Sequence, residues 1–391
     1  MKVVHLCLTT PFDSALAYQD NLLSKYQRKA GHEVTVVTTP YLRRDALDRQ
    51  WLEAPTKEEF TAEGVRVRRL APWLPFRINR RFHLYRGLRK VLAQEAPDLL
   101  FVHGLASVSY LALCPFHRRY PSVRIVFDNH GDLLNSCRNR LAYLYTRYVY
   151  RWLVTRRLAR IGERFYGVTP ARCDFLRDMY GIPERKIDLL LMGADDEALE
   201  RAADEGWRER IRTQYAVAPT DFLVVTGGKI DRDKNIHLLA EAVAASKHKQ
   251  LKLLVFGAVS EEMRPVLASF ASDRVQLAGW VSAEQVYRYF LAADLVFFPG
   301  LHSVLWEQAL ACKVPCVFSK LEGFGHVDVP GALLLKERSV ETCGALLDSL
   351  LDDAEPYAAL RAAACSEERE AFLYRRIARK VEEDVFSVDK K

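Results

Sequence analysis

Short apolar runs rich in β-branched and aromatic residues alternate with helical segments along the chain, and this alternation limits the possible fold more than any other feature. Helical patterns such as Ala17–Lys29, Asn79–Gln94 and Ala171–Met179 separate the runs of the first half. Parallel strands covered by helices on both faces have nearly continuous apolar sequences. The pattern therefore predicts an α/β domain built on a parallel sheet. Its predicted strands are Val3–Leu8, Val34–Thr38, Val65–Leu70, Leu99–Val102, Ile125–Asp128, Phe165–Val168 and Ile187–Met192.

The second half repeats this scheme after a charged helical segment, Ala198–Tyr215. A chain of 391 residues is also too long for one ordinary domain. We therefore predict two Rossmann-like parallel-sheet domains facing across a cleft, at residues 1–196 and 197–370, with a C-terminal helix in 371–391 that packs back toward the first domain. The predicted strands are Phe222–Val225, Leu251–Phe256, Val275–Ala278, Leu295–Phe298, Pro315–Phe318 and Ala332–Leu335. The predicted helices are Ile236–Ala245, Ser260–Phe270, Ala283–Ala292, Ser303–Cys312, Val340–Leu351, Ala354–Ala364 and Glu367–Val385.

The composition is typical of a globular protein of the cytosol. Hydrophobic residues make up 49% and charged residues 27% of the chain, and no apolar stretch approaches the roughly 18 residues of a membrane span. The eight cysteines form no Cys-x-x-Cys pair and lie mostly in apolar runs, so we expect reduced thiols. Because Met1–Leu8 runs straight into a strand pattern, we expect no signal peptide there.

Two common nucleotide-binding motifs are missing from the sequence. The first strand-to-helix turn, within Leu8–Asp20, contains no glycine, so no Gly-x-Gly-x-x-Gly lets a pyrophosphate approach the backbone. The chain also lacks Gly-x-x-x-x-Gly-Lys-[Ser/Thr]. These absences argue against a dehydrogenase of the NAD or FAD type and against a P-loop NTPase.

A loop at the start of the second half carries two lysines. Two glycines close the strand that begins at Phe222, and Lys229 and Lys234 follow before the next helix. Both ammonium groups can close on one diphosphate and neutralise the charge of a leaving nucleotide. The alternative is a pair of surface lysines in a polar turn. Asp231–Asp233 also fits an Asp-x-Asp metal motif, but aspartates are expected beside a helix start, so we expect no metal site.

An acidic residue follows a buried strand of the second half. Leu295–Phe298 is closed by Pro299-Gly300, and a helix is predicted to begin near Ser303, which places Glu307 one turn into it. Helix N-termini at the carboxyl edge of a parallel sheet bind phosphates, and a carboxylate there can reach a ribose diol. The alternative is a solvated first-turn glutamate that favours the helix dipole.

Taken together, these segments resemble the retaining nucleotide-sugar glycosyltransferases of the GT-B fold, family 4 type, over nearly the whole chain. Several weak motifs occur in the family's order, which makes the combined signal specific. The matching segments are Gly31–Val37, Pro97–His103, Ile125–His130, Leu191–Asp195, Gly228–Lys234, Leu277–Val281, Ala292–Leu295 and Glu307–Cys312.

The resemblance implies roles for particular residues. Lys229 and Lys234 hold the donor diphosphate, Glu307 accepts hydrogen bonds from the ribose, and a neutral His130 lies near the transferred sugar. These four are the predicted catalytic residues. The other predicted donor-binding residues are Gly228, Gly279, Trp280, His302, Ser303 and Val304, the last two through backbone N–H groups. The predicted acceptor or membrane side comprises Tyr18, His103, Arg156 and Arg157.

The chain departs from the family pattern at two places. The family's Glu-x7-Glu motif would put its first glutamate at position 299, which is Pro299 here, so we expect His302 or Ser303 to replace its contact with the donor sugar. The usual Gly-Gly turn of the first domain is replaced by Thr9–Tyr18.

By the resemblance, the reaction is transfer with retention by front-face attack, in which the leaving phosphate takes the acceptor proton. It needs no metal, no cofactor and no protein nucleophile. We expect a nucleotide-sugar donor and a glycan or lipid-linked acceptor of cell-surface polysaccharide biosynthesis. The alternatives are a same-fold epimerase or phosphorylase, and a degenerate subunit that only binds nucleotide sugars.

The positive charge is concentrated in the first half. Residues 1–200 carry 32 basic and 22 acidic side chains, against 25 and 28 in the remainder. Arg77–Lys90 is one basic stretch, and Arg138–Arg164 is another, with eight arginines, interleaved tyrosines, Trp152 and only one acidic residue. Such helices suit the surface of an anionic membrane, so we expect a peripheral protein at the inner face of the cytoplasmic membrane. The alternatives are a solvated helix face or an RNA-binding surface, but no nucleic-acid module is present and no nucleic-acid partner is expected.

Overall fold

A computed structural model describes residues 1–386, except 15, 44–50, 55 and 138. Arg138, the first residue of the predicted basic stretch, and the end of the predicted segment 371–391 therefore lie outside the described residues. The chain divides into two compact units. The first comprises Met1–Leu191 and the residues from Ile377 onward, and the second comprises Met192–Arg376.

The first unit is built on a sheet whose strands are β1 (Lys2–Cys7), β2 (Glu33–Thr38), β5 (Glu58–Phe60), β6 (Arg66–Arg69), β7 (Leu99–Val102), β8 (Arg124–Asn129), β9 (Arg164–Gly167) and β10 (Ile187–Leu189). The strands are parallel except for the antiparallel edge strand β5. The strand order is β10-β9-β8-β7-β1-β2-β6-β5, so the order reverses direction between β1 and β7. A separate antiparallel pair is formed by β3 (Tyr41–Arg43) and β4 (Trp51–Glu53).

Helices pack on this sheet because its central strands are apolar on both faces; all four residues of β7, for example, are buried. The C-terminal helix α17 (Tyr374–Phe386) contributes to the same unit from Ile377 onward. There Asp384 accepts a hydrogen bond of 3.0 Å from the Tyr166 hydroxyl. The other helices of the unit are α1 (Gln19–Lys29), α2 (Phe76–Phe82), α3 (Leu88–Glu95), α4 (Leu113–Arg119), α5 (Leu133–Ser136), α6 (Arg140–Leu144), α7 (Arg156–Ile161) and α8 (Pro170–Asp178).

The second unit contains a parallel sheet whose strands are β11 (Phe222–Ile230), β12 (Leu251–Val259), β13 (Val275–Gly279), β14 (Leu295–Phe298), β15 (Cys316–Ser319) and β16 (Ala332–Leu335). The strand order is β13-β12-β11-β14-β15-β16. Numbered from the first strand of this unit, the order is 3-2-1-4-5-6, that of Rossmann folds, with the switch point between β11 and β14.

Helices of the second unit pack on one face of its sheet against apolar side chains such as Val224, Leu253 and Leu295. Two of them begin with side-chain caps: Ser339 accepts from the backbone N–H of Thr342, and Asp353 accepts from that of Glu355. The helices are α9 (Asp196–Asp204), α10 (Trp207–Gln214), α11 (Ile236–Ala245), α12 (Met263–Ala268), α13 (Val286–Ala292), α14 (Leu305–Ala311), α15 (Val340–Asp352) and α16 (Ala354–Ala364).

The predicted fold class of two Rossmann-like parallel-sheet α/β domains is confirmed. Three predicted helices are each divided in the structure, because left-handed or extended backbone interrupts the pattern, and the predicted helix Ser260–Phe270 is shorter, at α12 (Met263–Ala268). His83 and Gly87 have positive φ and divide Asn79–Gln94 into α2 and α3, and Gly206 (φ 65°) separates α9 from α10. Extended backbone at Leu373 separates a short 3₁₀ turn from α17. The strands β3, β4 and β5 were not predicted.

None of the described helices is both long enough and apolar enough to cross a membrane.

Candidate active site

The loops that follow β11 and β14 start from neighbouring strands at the switch point of the second unit. In open parallel sheets, ligands bind outside the carboxyl ends of the strands at such a point, where the connections diverge to opposite faces. The first loop carries Lys229 and Lys234, and the second leads through Pro299-Gly300 to Glu307 on α14. The topology therefore brings the predicted donor residues to one edge of one sheet.

Lys234 connects the loop after β11 to the loop after β14 through hydrogen bonds. Its ammonium group donates to the carbonyl oxygens of Leu301 at 2.7 Å and His302 at 3.0 Å. The Leu301 backbone N–H donates in return to the Asp233 carbonyl at 3.1 Å. A Cβ atom added to Gly300 would lie 2.3 Å from the backbone of Lys234, so the loops approach as closely as a glycine allows. Burial lowers the pKa of the Lys234 ammonium, although the carboxylates of its own loop oppose that shift.

Lys229 is exposed near the end of β11, and its positive charge contributes to the lowered pKa of Lys234, so the two lysines lie within electrostatic range. Gly228 precedes it with a φ of 110°, a conformation that side-chain-bearing residues rarely adopt. A Cβ atom there would lie 2.8 Å from a methyl group of Leu305, the first residue of α14. The glycine therefore lets the strand end lie against the start of that helix.

Glu307 is completely buried, so the alternative of a solvated first-turn glutamate is wrong. Its Oε1 atom lies 2.7 Å from Nε2 of His302 and 2.8 Å from Nε2 of His326, while Oε2 is buried with no partner among the described residues. Burial raises the pKa of the carboxyl group, but the two imidazoles more than offset it and hold the pKa at about 2. The carboxylate is therefore ionised and retains one unused oxygen.

Aromatic rings pack against the two imidazoles that contact this carboxylate. Trp306 is fully buried and stacks on Phe318 with ring centroids 4.7 Å apart, and the His302 ring lies 4.6 Å from that of Phe324. Because the surroundings are apolar, hydrogen bonds to the carboxylate are stronger than they would be in water. These packed rings also fix the directions of both imidazoles.

The other predicted donor residues are less closely connected to Glu307. Ser303 and Val304 are half-buried before α14, and Val304, rather than Ser303, occupies the N-cap position, without a side-chain cap. Gly279 has a φ of 77° and ends the edge strand β13, two strands away from β11. Trp280 follows it and is 68% exposed.

A second carboxylate–imidazole cluster lies in the first unit, where β7 and β8 end. Asp128 is completely buried; its Oδ2 atom lies 2.7 Å from Nδ1 of His103, and its Oδ1 accepts from the Gly104 backbone N–H at 2.7 Å. Nε2 of His103 lies 2.9 Å from Nδ1 of His5, whose Nε2 in turn lies 2.7 Å from the Gln27 carbonyl oxygen. The chain of bonds runs from a strand end into the core.

The pKa values of this chain follow from its geometry. Burial lowers the pKa of His5 to about 3, so this imidazole is neutral and its Nδ1 accepts from His103. Burial also opposes the charge of His103, but Asp128 outweighs it and raises the pKa of that imidazole. His103 then donates from both nitrogens, one to His5 and one to Asp128. Both ring nitrogens of His103 are occupied, and only 4% of the residue is exposed. His103 therefore influences neighbouring groups through its bond to Asp128.

The remaining predicted residues of the first unit are exposed. The side chain of His130 is 43% exposed, with Nε2 3.5 Å from Oδ2 of Asp128. Tyr18, at the start of α1, is 48% exposed. Arg156 and Arg157 are exposed at the start of α7, directly after a π-helical stretch, Tyr145–Thr155.

The π-helical stretch and its flanking helices form a basic and aromatic surface. Leu141 is 80%, Tyr148 62% and Trp152 61% exposed. A cavity of about 450 Å³ is lined by Arg147, Tyr148, Arg151, Trp152, Arg156, Tyr180 and Gly181. The alternative that the tyrosines of this stretch pack into the core holds for Tyr150, which is 6% exposed, but not for Tyr148.

Sequence reasoning missed three residues of these clusters: His326, His5 and Gln27. His5 interrupts an apolar strand, and a polar residue in a strand buried on both faces needs a partner. His326 follows β15, which adjoins the switch strand β14, so its position at the carboxyl edge was a usable signal. Nothing in the sequence singles out Gln27, because its bond depends on how α1 packs.

Family models match both halves of the chain. The model for Glycosyltransferase Family 4 matches residues 21–198, and the model for Glycosyl transferases group 1 matches residues 208–366. Together with the fold, these matches indicate a glycosyltransferase of the GT-B fold.

Curated relatives belong to the same class. The D-inositol 3-phosphate glycosyltransferase of Pseudarthrobacter chlorophenolicus is 26% identical over 189 residues, 44% of this chain and 44% of the relative. The enzyme of that name from an Arthrobacter species is 26% identical over 204 residues, 49% of this chain and 48% of the relative. The chain therefore spans about half the length of the curated relatives it matches.

Solved structures resemble the whole chain at low identity, which bears on the fold alone. A glycosyltransferase from Rickettsia africae has a TM-score of 0.72 at 14% identity, covering 100% of this chain and 99% of the other. The Anabaena protein HepE, solved in complex with UDP-glucose, has a TM-score of 0.65 at 15% identity, covering 100% of both chains. A candidate UDP-N-acetylglucosamine 2-epimerase from Listeria monocytogenes has a TM-score of 0.62 at 13% identity, covering 100% and 96%.

Proposed function

We propose that this protein is a retaining glycosyltransferase that moves a sugar from a nucleotide-sugar donor to a glycan or lipid-linked acceptor in cell-surface polysaccharide biosynthesis. The observation that carries the proposal is the continuous connection from Lys234 through the His302 segment to the ionised Glu307 at a Rossmann switch point. Cations for a diphosphate and an acceptor for a ribose hydroxyl are what a nucleotide-sugar donor requires there.

In this proposal Lys229 and Lys234 both bind the diphosphate, but each in a different way. Lys234 uses two of its three N–H bonds on the loop carbonyls and keeps one for a phosphate oxygen. Lys229 is exposed and adds a mobile positive charge. Both cations stabilise the negative charge that develops on the nucleotide as it leaves.

Glu307 holds the ribose through its free oxygen. Its Oε1 is occupied by two imidazoles, so a ribose hydroxyl donates to Oε2. The same geometry indicates which residue contacts the donor sugar here, where Pro299 stands in place of the family's first glutamate. The His302 side chain is 6% exposed and committed to Glu307, which leaves Ser303 as the replacement that contacts the donor sugar.

The transfer step breaks the bond between the anomeric carbon and the phosphate oxygen and forms a bond from the same carbon to the acceptor oxygen. The acceptor hydroxyl attacks from the face that the phosphate leaves, and its proton passes to a phosphate oxygen. No protein nucleophile and no metal take part in this step. By the family resemblance, the His130 imidazole donates to a hydroxyl of the transferred sugar, and Asp128, 3.5 Å from it, orients the ring.

We further propose that the basic and aromatic surface around Trp152 binds the anionic inner face of the cytoplasmic membrane. Arginines with interleaved aromatic side chains suit the headgroup region, where each basic residue contributes roughly 1 kcal/mol. The test is vesicle sedimentation of a variant with Arg156, Arg157 and Arg160 changed to Glu. Its matched control carries the same change at the exposed residues Lys249, Arg264 and Lys336 of the second unit. Equal partition of both variants would contradict the proposal.

The donor is tested by thermal shift against a panel of UDP-, GDP- and ADP-sugars. One nucleotide class is expected to stabilise the wild-type protein, and Glu307→Ala is expected to lose that shift. The exposed Glu322, on the loop that also carries His326, offers the control Glu322→Ala. Incubating the identified donor with candidate acceptors then tests transfer. A shift that survives Glu307→Ala unchanged would contradict the proposed site.

A second candidate is a same-fold enzyme of another reaction, and the structural similarity to the Listeria candidate epimerase favours testing it. Incubation with the identified nucleotide sugar in the absence of an acceptor decides between them, because an epimerase converts the donor while a transferase leaves it largely intact. A phosphorylase would instead release sugar phosphate from a glycan and inorganic phosphate. The third possibility is a subunit that only binds nucleotide sugars. It is suggested by the loss of the family's first glutamate at Pro299, and it predicts binding without any product.

A further inference from the structure

Three residues with metal-binding side chains meet in the second unit. His302 follows β14, Glu307 lies on α14, and His326 lies on a 3₁₀ turn, Gly325–Val327, after β15. One possible ligand atom from each lies within 4.8 Å of the other two. The three side chains are between 0% and 6% exposed. They come from three separate segments, so the cluster is a product of the fold rather than of a sequence motif.

The hydrogen bonds of this cluster are unevenly distributed over the carboxylate. Both imidazole Nε2 atoms contact Oε1 of Glu307, and Oε2 is buried without a partner among the described residues. By contrast, the buried Asp128 of the first unit uses both oxygens. A buried carboxylate oxygen without a donor is costly, which indicates that a ligand completes this site.

We propose that His302, Glu307 and His326 bind a divalent transition metal ion of borderline softness, such as Zn²⁺ or Co²⁺. Two imidazole nitrogens and one carboxylate oxygen are ligands that these ions accept, whereas Mg²⁺ and Ca²⁺ prefer oxygen alone. Metal–ligand bonds of about 2.0–2.1 Å place the ligand atoms of a tetrahedral site roughly 3.3 Å apart. The nitrogen–oxygen pairs, now at 2.7 and 2.8 Å, therefore need to separate by only about 0.5 Å.

The protons balance without a further reactant. A metal takes the Nε2 lone pair of each imidazole, so the hydrogen now shared with Glu307 must leave that nitrogen. In a neutral imidazole it moves to Nδ1, and Nδ1 of His326 has no partner among the described residues. An imidazolium instead releases one proton to solvent, which makes the affinity fall at low pH.

The proposed metal and the proposed donor compete for the same carboxylate. Under the proposed function, a ribose hydroxyl donates to Oε2 of Glu307, and a metal bound at Oε1 withdraws negative charge from the carboxylate, which makes Oε2 a weaker hydrogen-bond acceptor. The metal would therefore inhibit donor binding rather than assist transfer. This competition rests on the proposed function, whereas metal binding itself does not.

The test is calorimetric titration of the untagged, chelator-treated full chain with Zn²⁺ alone. One ion per chain is expected, and Mg²⁺ at the same concentration is expected to give no heat of binding. His326→Ala removes one of three ligands and should weaken Zn²⁺ affinity at least 100-fold. The matched control is His237→Ala, a half-buried histidine on α11 outside the cluster, which should bind as the wild type does. Less than a tenth of an equivalent bound by the wild type, or unchanged affinity in His326→Ala, would overturn the proposal.

Cobalt gives a readout on the wild-type protein, which does not depend on the folding of a variant. Co²⁺ bound by nitrogen and oxygen in a tetrahedral site gives visible absorption bands without the ultraviolet charge-transfer band of thiolate ligands. A strong thiolate band in the wild type would assign the ion to cysteines and overturn the proposal.

Donor competition is a separate arm, measured with the nucleotide sugar found by thermal shift. Saturating Zn²⁺ should raise its apparent Kd at least tenfold in the wild type. In His326→Ala the same Zn²⁺ concentration should have little effect. An unchanged wild-type Kd alongside stoichiometric Zn²⁺ binding would refute the competition. Because the Zn²⁺ titration uses no nucleotide, failure of the proposed function leaves it interpretable.

Discussion

Each unit holds a fully buried carboxylate, Asp128 at a strand end and Glu307 on the helix after a strand, and each of the two faces two imidazoles. Asp128 in the first unit contacts His103 closely and the exposed His130 at 3.5 Å, and its second oxygen takes a backbone N–H. Glu307 in the second unit contacts two buried imidazoles through one oxygen. The difference lies in what remains unused: nothing on Asp128, and Oε2 on Glu307.

The comparison separates positioning from binding. A saturated carboxylate backed by a chain of buried hydrogen bonds holds its neighbours in place, and here it orients His130. A carboxylate with a spare buried oxygen is prepared for a donor from outside the protein. Removing the first should therefore change stability, and removing the second should change ligand binding.

The largest effect is expected for Asp128→Asn. The substitution leaves the buried His103 imidazolium without its counter-ion, which costs about 3–5 kcal/mol in the free energy of unfolding. Urea denaturation of the full chain measures it, with Asp174→Asn, in an exposed ion pair on α8, as the control. Nucleotide affinity of the folded protein should stay near the wild-type value. A loss below 1 kcal/mol would mean that His103 is neutral.

The pH dependence of stability should be smaller in His5→Gln than in the wild type. The pKa of His5 in the folded state, about 3, is below its ordinary value of 6.5. Between pH 3 and pH 6.5 the folded state therefore binds fewer protons than the unfolded state. Its stability contribution is therefore present above pH 6.5 and is lost as the pH falls toward 3. Between pH 7.5 and 4.5 the wild type should lose about 2–3 kcal/mol more than the variant.

Denaturation at both pH values measures this difference, and His117→Gln serves as a control. Asp128 and His103 face His5, and His103 titrates in the opposite sense, so both must be retained in the comparison. Parallel pH profiles of wild type and His5→Gln would contradict a buried neutral imidazole.

Glu307→Gln should lower donor affinity roughly tenfold to a hundredfold, because a hydrogen bond to a charged group contributes about 1.5–3 kcal/mol. Isothermal titration with the identified nucleotide sugar measures this change, and Glu322→Gln is the matched control. If the variant binds the donor as tightly as the wild type, the spare oxygen has no role toward the ribose and the contrast with Asp128 disappears.

Gly300→Ala should lower the stability less than Asp128→Asn does, and it should displace the Lys234 backbone at the donor site. Its methyl group meets the Lys234 backbone, and overpacking of this kind costs about 1–3 kcal/mol of unfolding free energy. Gly344→Ala is the matched control, since nothing lies within 4 Å of the added methyl group on α15 and alanine favours helices. Equal stability of the two variants would show that the loops after β11 and β14 are not held in close contact at Gly300.

Much of the fold could be predicted from the sequence, because central strands such as β7 and β14 are continuous apolar runs, and β14, β16, α11 and α16 occur as predicted. The breaks at His83, Gly87 and Gly206 could not, since they depend on left-handed backbone conformations that local patterns do not require. The position of Glu307 on a helix at the sheet edge followed from its spacing to Leu295–Phe298. Its partners did not, because His326 reaches it only through the tertiary packing of the loop after β15.

The first unit is discontinuous in sequence, since it takes in the residues from Ile377 after the chain has passed through the second unit. A gene fragment that stops at Leu191 would lack the helix that supplies Lys380 and Asp384, and Tyr166 and Asp188 would lose their bonds to them. Of the two units, the second, Met192–Arg376, is the one that is continuous in sequence. Dissecting the molecule therefore calls for a short designed linker from Leu191 to Ile377, or for co-expression of the helix as a separate peptide.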